Sequence, residues 1–181
     1  MNITGPVNRT INACKKEPLF LLGASVLALF LSSVTFLILF PVMWAGLGSV
    51  FIKIDRGEKP DIKDIFIYID KTLFLAVLGI IILAGWAAGL IVLIIPMFII
   101  MAMWVYAVFY LAYDDMTITG ALSASASAAL KNDFLAHIGV IIVLNLLNVI
   151  GGQLAGIGVL ITFPLTCGFL VFMYDEIKNN R

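Results

Sequence analysis

Residues 72–113, TLFLAVLGIIILAGWAAGLIVLIIPMFIIMAMWVYAVFYLAY, run for 42 positions without one Asp, Glu, Lys, Arg or His. A helix needs about 20 apolar residues to cross a hydrocarbon core roughly 30 Å thick. As one straight helix, at about 1.5 Å per residue, this stretch would be over 50 Å long. It therefore reads as two spans joined by a tight turn. Residues 18–52 and 134–174 repeat the pattern, with 35 and 41 uncharged or His-only positions. Three such stretches predict six membrane-crossing helices arranged as three hairpins.

The charge placement says the same thing. All eleven basic and eleven acidic residues of the 181-residue chain fall in segments 1–17, 53–71, 114–133 and 175–181. Each hairpin returns the chain to its starting side, so all four segments share one face. Lys and Arg favour the cytoplasmic side, which predicts a multi-pass protein of the cell (inner) membrane with both termini cytoplasmic. The composition, 62% apolar and 12% charged with mean hydropathy +1.12, is too poor in charge to build a water-exposed surface. A net charge of zero argues against nucleic acid as a partner and against a polybasic lipid anchor. The polar lead to Glu17 and the long apolar run behind it do not have the form of a cleavable signal.

The expected fold is thus all-α, one polytopic transmembrane bundle over 1–181. Small or polar interruptions mark the expected turns: Leu31–Thr35, Gly85–Gly89 and Ile150–Gln153. Pro41, Pro96 and Pro164 follow each turn and predict kinked returning helices. Those helices end in acid at Asp55, Asp114-Asp115 and Asp175-Glu176, which opposes the helix dipole and calls for pairing with the Lys residues that open the next units, or for a shared cation site. The recurrence suggests three degenerate repeats, 1–55, 56–115 and 116–176; limited apolar alphabets also align with themselves. The first hairpin is the weakest, because 35 residues leave only about 15–16 per span. It either borrows flanking residues or contains a re-entrant or tilted segment.

Each unit opens with a segment suited to the membrane surface. Ile62, Ile65, Phe66 and Ile69 form one face of a predicted helix capped by Asp61, with Lys63 and Asp64 opposite. Ile3, Val7, Ile11 and Cys14 make a second stripe, with Asn8, Arg9, Asn12 and Lys15 towards water. A third helix is expected between Thr117 and Lys131, capped by Thr117 or Thr119. Such helices either contact lipid or pack beneath the bundle.

Chemistry is sparse. The stretches carry no Asp, Glu, Lys or Arg, and their one histidine, His137, reads as a hydrogen-bonding partner rather than a catalyst. No metal-ligand spacing, phosphate loop or nucleophile elbow occurs, so no cofactor and no enzymatic activity are predicted. Asn145, Asn148 and Gln153 are the one polar concentration, read as interhelical hydrogen bonding or as a polar intramembrane site. Gly85/Gly89, Gly152/Gly156 and Ala45/Ser49 allow close helix approach, within the chain or across a homo-oligomer. The glycosylation patterns at Asn2 and Asn8 are chance matches on a cytoplasmic terminus.

Four elements together resemble a known group. They are Arg56-Gly57-Glu58-Lys59-Pro60, Ile94-Ile95-Pro96, the helix from Ala121-Leu122 to Lys131-Asn132, and Gly156-Ile157-Gly158 through Pro164 to Tyr174. The group is a broad prokaryotic family of six-span proteins related to the membrane domain of glycerophosphoryl diester phosphodiesterases, including YciC-like integral membrane proteins. The resemblance covers nearly the whole chain and implies the six-span fold. No counterpart of the phosphodiesterase catalytic domain is recognisable in these residues, so no hydrolase activity carries over. The expected function is non-enzymatic binding or organising of membrane lipids or a membrane partner; the alternative is a transporter or channel for a small neutral or lipid-like solute.

Overall fold

The structure, a computed structural model, describes residues 3–92, 94–153 and 158–179. Among them are nine α-helices, two short 3₁₀ helices and no strand. The helices are α1 (Thr4–Lys16), α2 (Pro18–Val34), α3 (Phe40–Asp55), α4 (Thr72–Val92), α5 (Ile94–Trp104), α6 (Ala107–Asp114), α7 (Ile118–Lys131), α8 (Phe134–Gln153) and α9 (Val159–Asn179). Four helical runs are long and apolar enough to cross a membrane: Ile62–Ile91, Ile95–Asp114, Phe134–Gln153 and Val159–Asn179. A fifth appears only if α1 and α2, bent by 100° to one another, count as one broken span. Helices α2 and α3 have 17 and 16 residues.

The core lies where α3, α6 and α9 meet. Phe51 of α3 packs edge-on against Phe172 of α9, with ring centroids 6.2 Å apart. Tyr110 of α6 meets Tyr174 of α9 at 4.9 Å. Two glycines make this approach possible: a Cβ on Gly168 would fall 2.6 Å from the Phe51 ring, and one on Gly48 would meet the Tyr113 hydroxyl. Outward, α4 and α8 show apolar side chains such as Leu73, Phe74, Leu135 and Val143. In a bilayer the apolar outer surface needs no covering, so packing and backbone satisfaction hold the bundle together.

The helices run through residues where the sequence predicts turns. Helix α2 continues through Ser32 and Ser33 because their hydroxyls donate to the Ala28 and Leu29 carbonyls, 2.7 and 2.8 Å away. A hydroxyl satisfied this way is compatible with helix. Gly85 and Gly89 lie inside α4, on the face where α5 approaches; a Cβ on Gly89 would sit 2.7 Å from the Met97 backbone. They are a packing stripe within the chain. Helix α8 likewise runs through Gln153, and Gly156 of the Gly152/Gly156 pair lies outside the described residues.

The prolines also act differently. Pro41 and Pro96 stand in the first turns of α3 and α5, where no intrahelical donor is lost, so they start helices rather than kink them. Pro164 does lie inside α9. The break in the second returning helix is at Val105–Tyr106, with no proline nearby. There the Ser125 hydroxyl of α7 donates to the Met103 carbonyl at 2.6 Å and accepts from the Tyr106 amide at 3.1 Å. One inserted side chain thus replaces the interrupted ladder. Helix α7, capped by Thr117 as predicted, presents Ala121, Ser125, Ala128 and Ala129 inward, so it packs on the bundle along this stripe.

Ser125→Ala removes both bonds and strands two backbone groups in a fully buried place. The expected cost is about 2 kcal/mol, read as a lower unfolding midpoint in detergent, while Ser123→Ala on the exposed face leaves the midpoint unchanged.

Candidate functional site at the charged end

Several of the charges meet in ion pairs near the ends of α3, α6 and α9. Arg9, on the inward side of α1, donates from Nε and Nη2 to Asp55 Oδ2 at 3.0 and 2.8 Å. Its Nη1 reaches Asp175 Oδ2 at 2.8 Å. The guanidinium lies over the Phe172 ring, 4.2 Å from the centroid. Arg9, expected to face water, instead joins the ends of α3 and α9. The apolar sector it borders makes room for this: Pro6, Thr10 and Ala13 are buried beside it. Burial opposes its charge, but hydrogen bonds to Asp55 and Asp175 outweigh that, and its pKa is raised.

The other returning helix is tied in by lysines. Lys178 pairs with Asp114, which also accepts a hydrogen bond from the Tyr174 hydroxyl at 2.8 Å. Lys71 pairs with Asp115 and donates to the Ala112 carbonyl at 2.6 Å, while Lys16 donates to the Ile54 carbonyl at 3.4 Å. Asp55, Asp114, Asp115 and Asp175 are therefore paired, but not with the Lys residues that open the next units as the sequence suggested. Lys71 serves the end of its own unit, and Asp55 is taken by Arg9. Cations drawn from other elements supply the positive charge that a helix C-terminus favours.

The segment between α3 and α4 is not one amphipathic helix. It forms two 3₁₀ helices, Ile62–Phe66 and Ile69–Lys71, opened by a reciprocal Asp61–Asp64 cap. Lys53 grips Asp64 at 2.6 Å. Ile65 is 0% exposed and packs on α3, where Gly46 leaves room for the Ile65 backbone. Phe66 is partly buried, whereas Ile62 and Ile69 are exposed. The four residues thus do not share a lipid-facing side: the close approach to α3 at Gly46 buries Ile65, while Ile62 and Ile69 stay exposed.

The intramembrane polar residues are occupied locally. Asn145 donates to the Ile141 carbonyl at 2.8 Å. Asn148 donates to the Leu144 carbonyl and to Thr166 Oγ1 of α9, 2.9 and 2.8 Å away. Gln153 is exposed at the end of α8. A cleft of about 240 Å³ nearby is lined by Leu147, Ile150, Gly151, Gly158, Ile161 and Thr162, and neither Asn lines it.

His137 is buried, its Nδ1 3.1 Å from the Asp133 carbonyl oxygen. A carbonyl only accepts, so Nδ1 carries the hydrogen. The Tyr106 ring stands edge-on 5.8 Å away. The Asp133 carboxylate instead accepts from the Ala136 amide, and Asp175 is held by Arg9.

Comparison with protein-family models, curated proteins and solved structures found no match in any of the three. The site's geometry is therefore the basis for a functional reading. Sequence reasoning missed Arg9 as its hub, because Asp55 and Asp175 lie far along the chain and nothing local points to them.

Arg9→Lys keeps one charge but loses the planar fork that meets two carboxylates and stacks on Phe172. The expected loss is about 1–2 kcal/mol, and adding Asp55→Asn to that variant then costs less than it does in the native chain, as a double-mutant cycle in detergent reads. Burial pushes the half-buried Cys14 thiol upward. Because the neutral thiol is favoured, alkylation of Cys14 near neutral pH is slower than for a free thiol and keeps rising above the ordinary thiol range, as a pH series with a small maleimide measures.

Proposed function

We propose that this chain is a non-enzymatic protein of the cell (inner) membrane that binds and organises anionic lipid at its cytoplasmic charged end. In this reading six helices enter the bilayer as three hairpins, and both termini are cytoplasmic. The three-unit organisation is supported by small residues seven positions before each terminal acid, Gly48, Ala107 and Gly168 ahead of Asp55, Asp114 and Asp175. The resemblance to six-span membrane proteins related to the phosphodiesterase membrane domain supports the same organisation.

The observation that carries the proposal is the three-sided surface of α1. At about 100° per residue, Pro6, Arg9, Thr10 and Ala13 form the sector packed on the bundle. Thr4, Asn8, Asn12 and Lys15 form an exposed polar sector. Ile3, Val7 and Ile11 form a third, exposed and apolar, with Cys14 at its inner edge. A helix between protein and water needs two sectors; a third apolar one fits the boundary between headgroups and acyl chains. The 100° bend between α1 and α2 lays α1 across the spans rather than along them. Helix α1 contains no acid, and its last turn holds exposed Lys15 and Lys16, which favours anionic headgroups.

Val7→Asp and Ile11→Asp place charge in that sector without touching the Arg9 bonds. In nanodiscs with about a third phosphatidylglycerol, each variant should retain that lipid roughly tenfold more weakly by native mass spectrometry. Undiminished retention by a folded variant would count against the proposal.

A further inference from the structure

The hairpin of α2 and α3 ends in an apolar turn that stops well below the end of its neighbour. Pro41, next to that turn, packs on Gly79 of α4, where an added Cβ would fall 2.6 Å from the proline ring. From this level α4 climbs thirteen more residues to Val92, whereas only four residues, most of them in the turn ahead of α3, separate Pro41 from Leu37. A second contact gives the same ordering: the Tyr113 hydroxyl donates to the Ala45 carbonyl at 2.8 Å. From there eight residues lead back to Leu37 and nineteen to Ile94. At about 1.5 Å per residue along the helices, the turn lies some 13–16 Å short of the second hairpin's tip.

The turn is built for a place without water. Phe36 is 91% exposed, and Leu37 and Ile38 are exposed beside it. Backbone amides across the turn are nonetheless satisfied internally. Thr35, Phe36, Leu37, Ile38 and Phe40 donate to the carbonyls of Leu31, Ser33, Ser32, Thr35 and Leu37, and Leu39 donates to the Thr35 hydroxyl. Phe36 and Leu37 adopt left-handed φ values of 49° and 68°, a conformation that glycine or asparagine would take more readily in water. Apolar residues at strained positions, with the amides closed on themselves, meet the requirement that hydrocarbon sets for irregular backbone.

We infer that the first hairpin is re-entrant: it enters from the charged side and turns within the hydrocarbon, with Phe36, Leu37 and Ile38 against acyl chains of the opposite leaflet. The inference rests on the proposed one-sided topology and sharpens it. The chain crosses the bilayer fully four times, through the runs Ile62–Ile91, Ile95–Asp114, Phe134–Gln153 and Val159–Asn179. A hairpin that turns midway returns to its own side, so the two termini stay together. The far leaflet above Phe36 fills the recess beside α4 with lipid.

Single cysteines test this in the full chain on a Cys14→Ser background, with a membrane-impermeant maleimide applied to spheroplasts before and after permeabilisation. Buried Cys167 should stay unreactive throughout and reports folding. Ile91→Cys, at an 86% exposed position near the far end of α4, should react in intact spheroplasts. Glu58→Cys should react only after permeabilisation. Phe36→Cys and Ile38→Cys should react about a hundredfold or more slowly under both conditions, since a thiol in hydrocarbon does not ionise. Phe36→Cys and Ile38→Cys reacting like Ile91→Cys, with Glu58→Cys on the opposite side, would overturn the re-entrant hairpin alone. Glu58→Cys and Ile91→Cys reacting from one side would overturn the proposed topology and this inference with it.

Discussion

Ionisable side chains are costly inside hydrocarbon, by several kcal/mol each at the centre of a span. This chain keeps its charged residues out of the long apolar runs, and several of them bind one another and the ends of α3 and α6. The consequence is a crowded end where Arg9, Lys71 and Lys178 answer Asp55, Asp175, Asp115 and Asp114. The acids at or near the ends of α3, α6 and α9 would repel one another if left alone. Cations reaching in from α1, from the 3₁₀ segment and from the last turn of α9 turn that repulsion into a lashing.

Away from that end, the remaining polar groups are managed over short distances. Ser25, Ser32, Ser33 and Thr35 return their hydroxyls to carbonyls four residues back, and Asn145 and Asn148 do likewise with their amides. Among the described residues a few polar side chains also link helices, such as Asn148 to Thr166, Tyr113 to Ala45, Cys167 to Trp44, and Ser125 across the α5–α6 break. Small residues carry the rest, because glycine at 48, 79, 89 and 168 brings neighbours within reach.

Helicity, membrane-compatible runs and the grouping of charges were legible from the uncharged stretches alone. The turns were not. Glycines and hydroxyls that punctuate a soluble chain can be ordinary helix residues when water is absent, as Gly85, Gly89, Ser32 and Ser33 are. The surface segments were half legible. In α1 the period places Ile3, Val7 and Ile11 on one exposed side as read, but not Arg9 towards water, whereas the short Asp61–Asp70 segment is not one helix and Ile65 is buried against α3. Arg9 was misassigned because its two partners lie 46 and 166 positions away, and no local pattern encodes them.

The way Arg9 divides its guanidinium has a bearing on assembly. One edge, Nε with Nη2, serves Asp55, and the separate Nη1 serves Asp175. Chains fold from the N-terminus as they are made, so Asp55 is available long before Asp175 exists. Both carboxylates can therefore meet Arg9 only in a chain that contains α9 as well as α3.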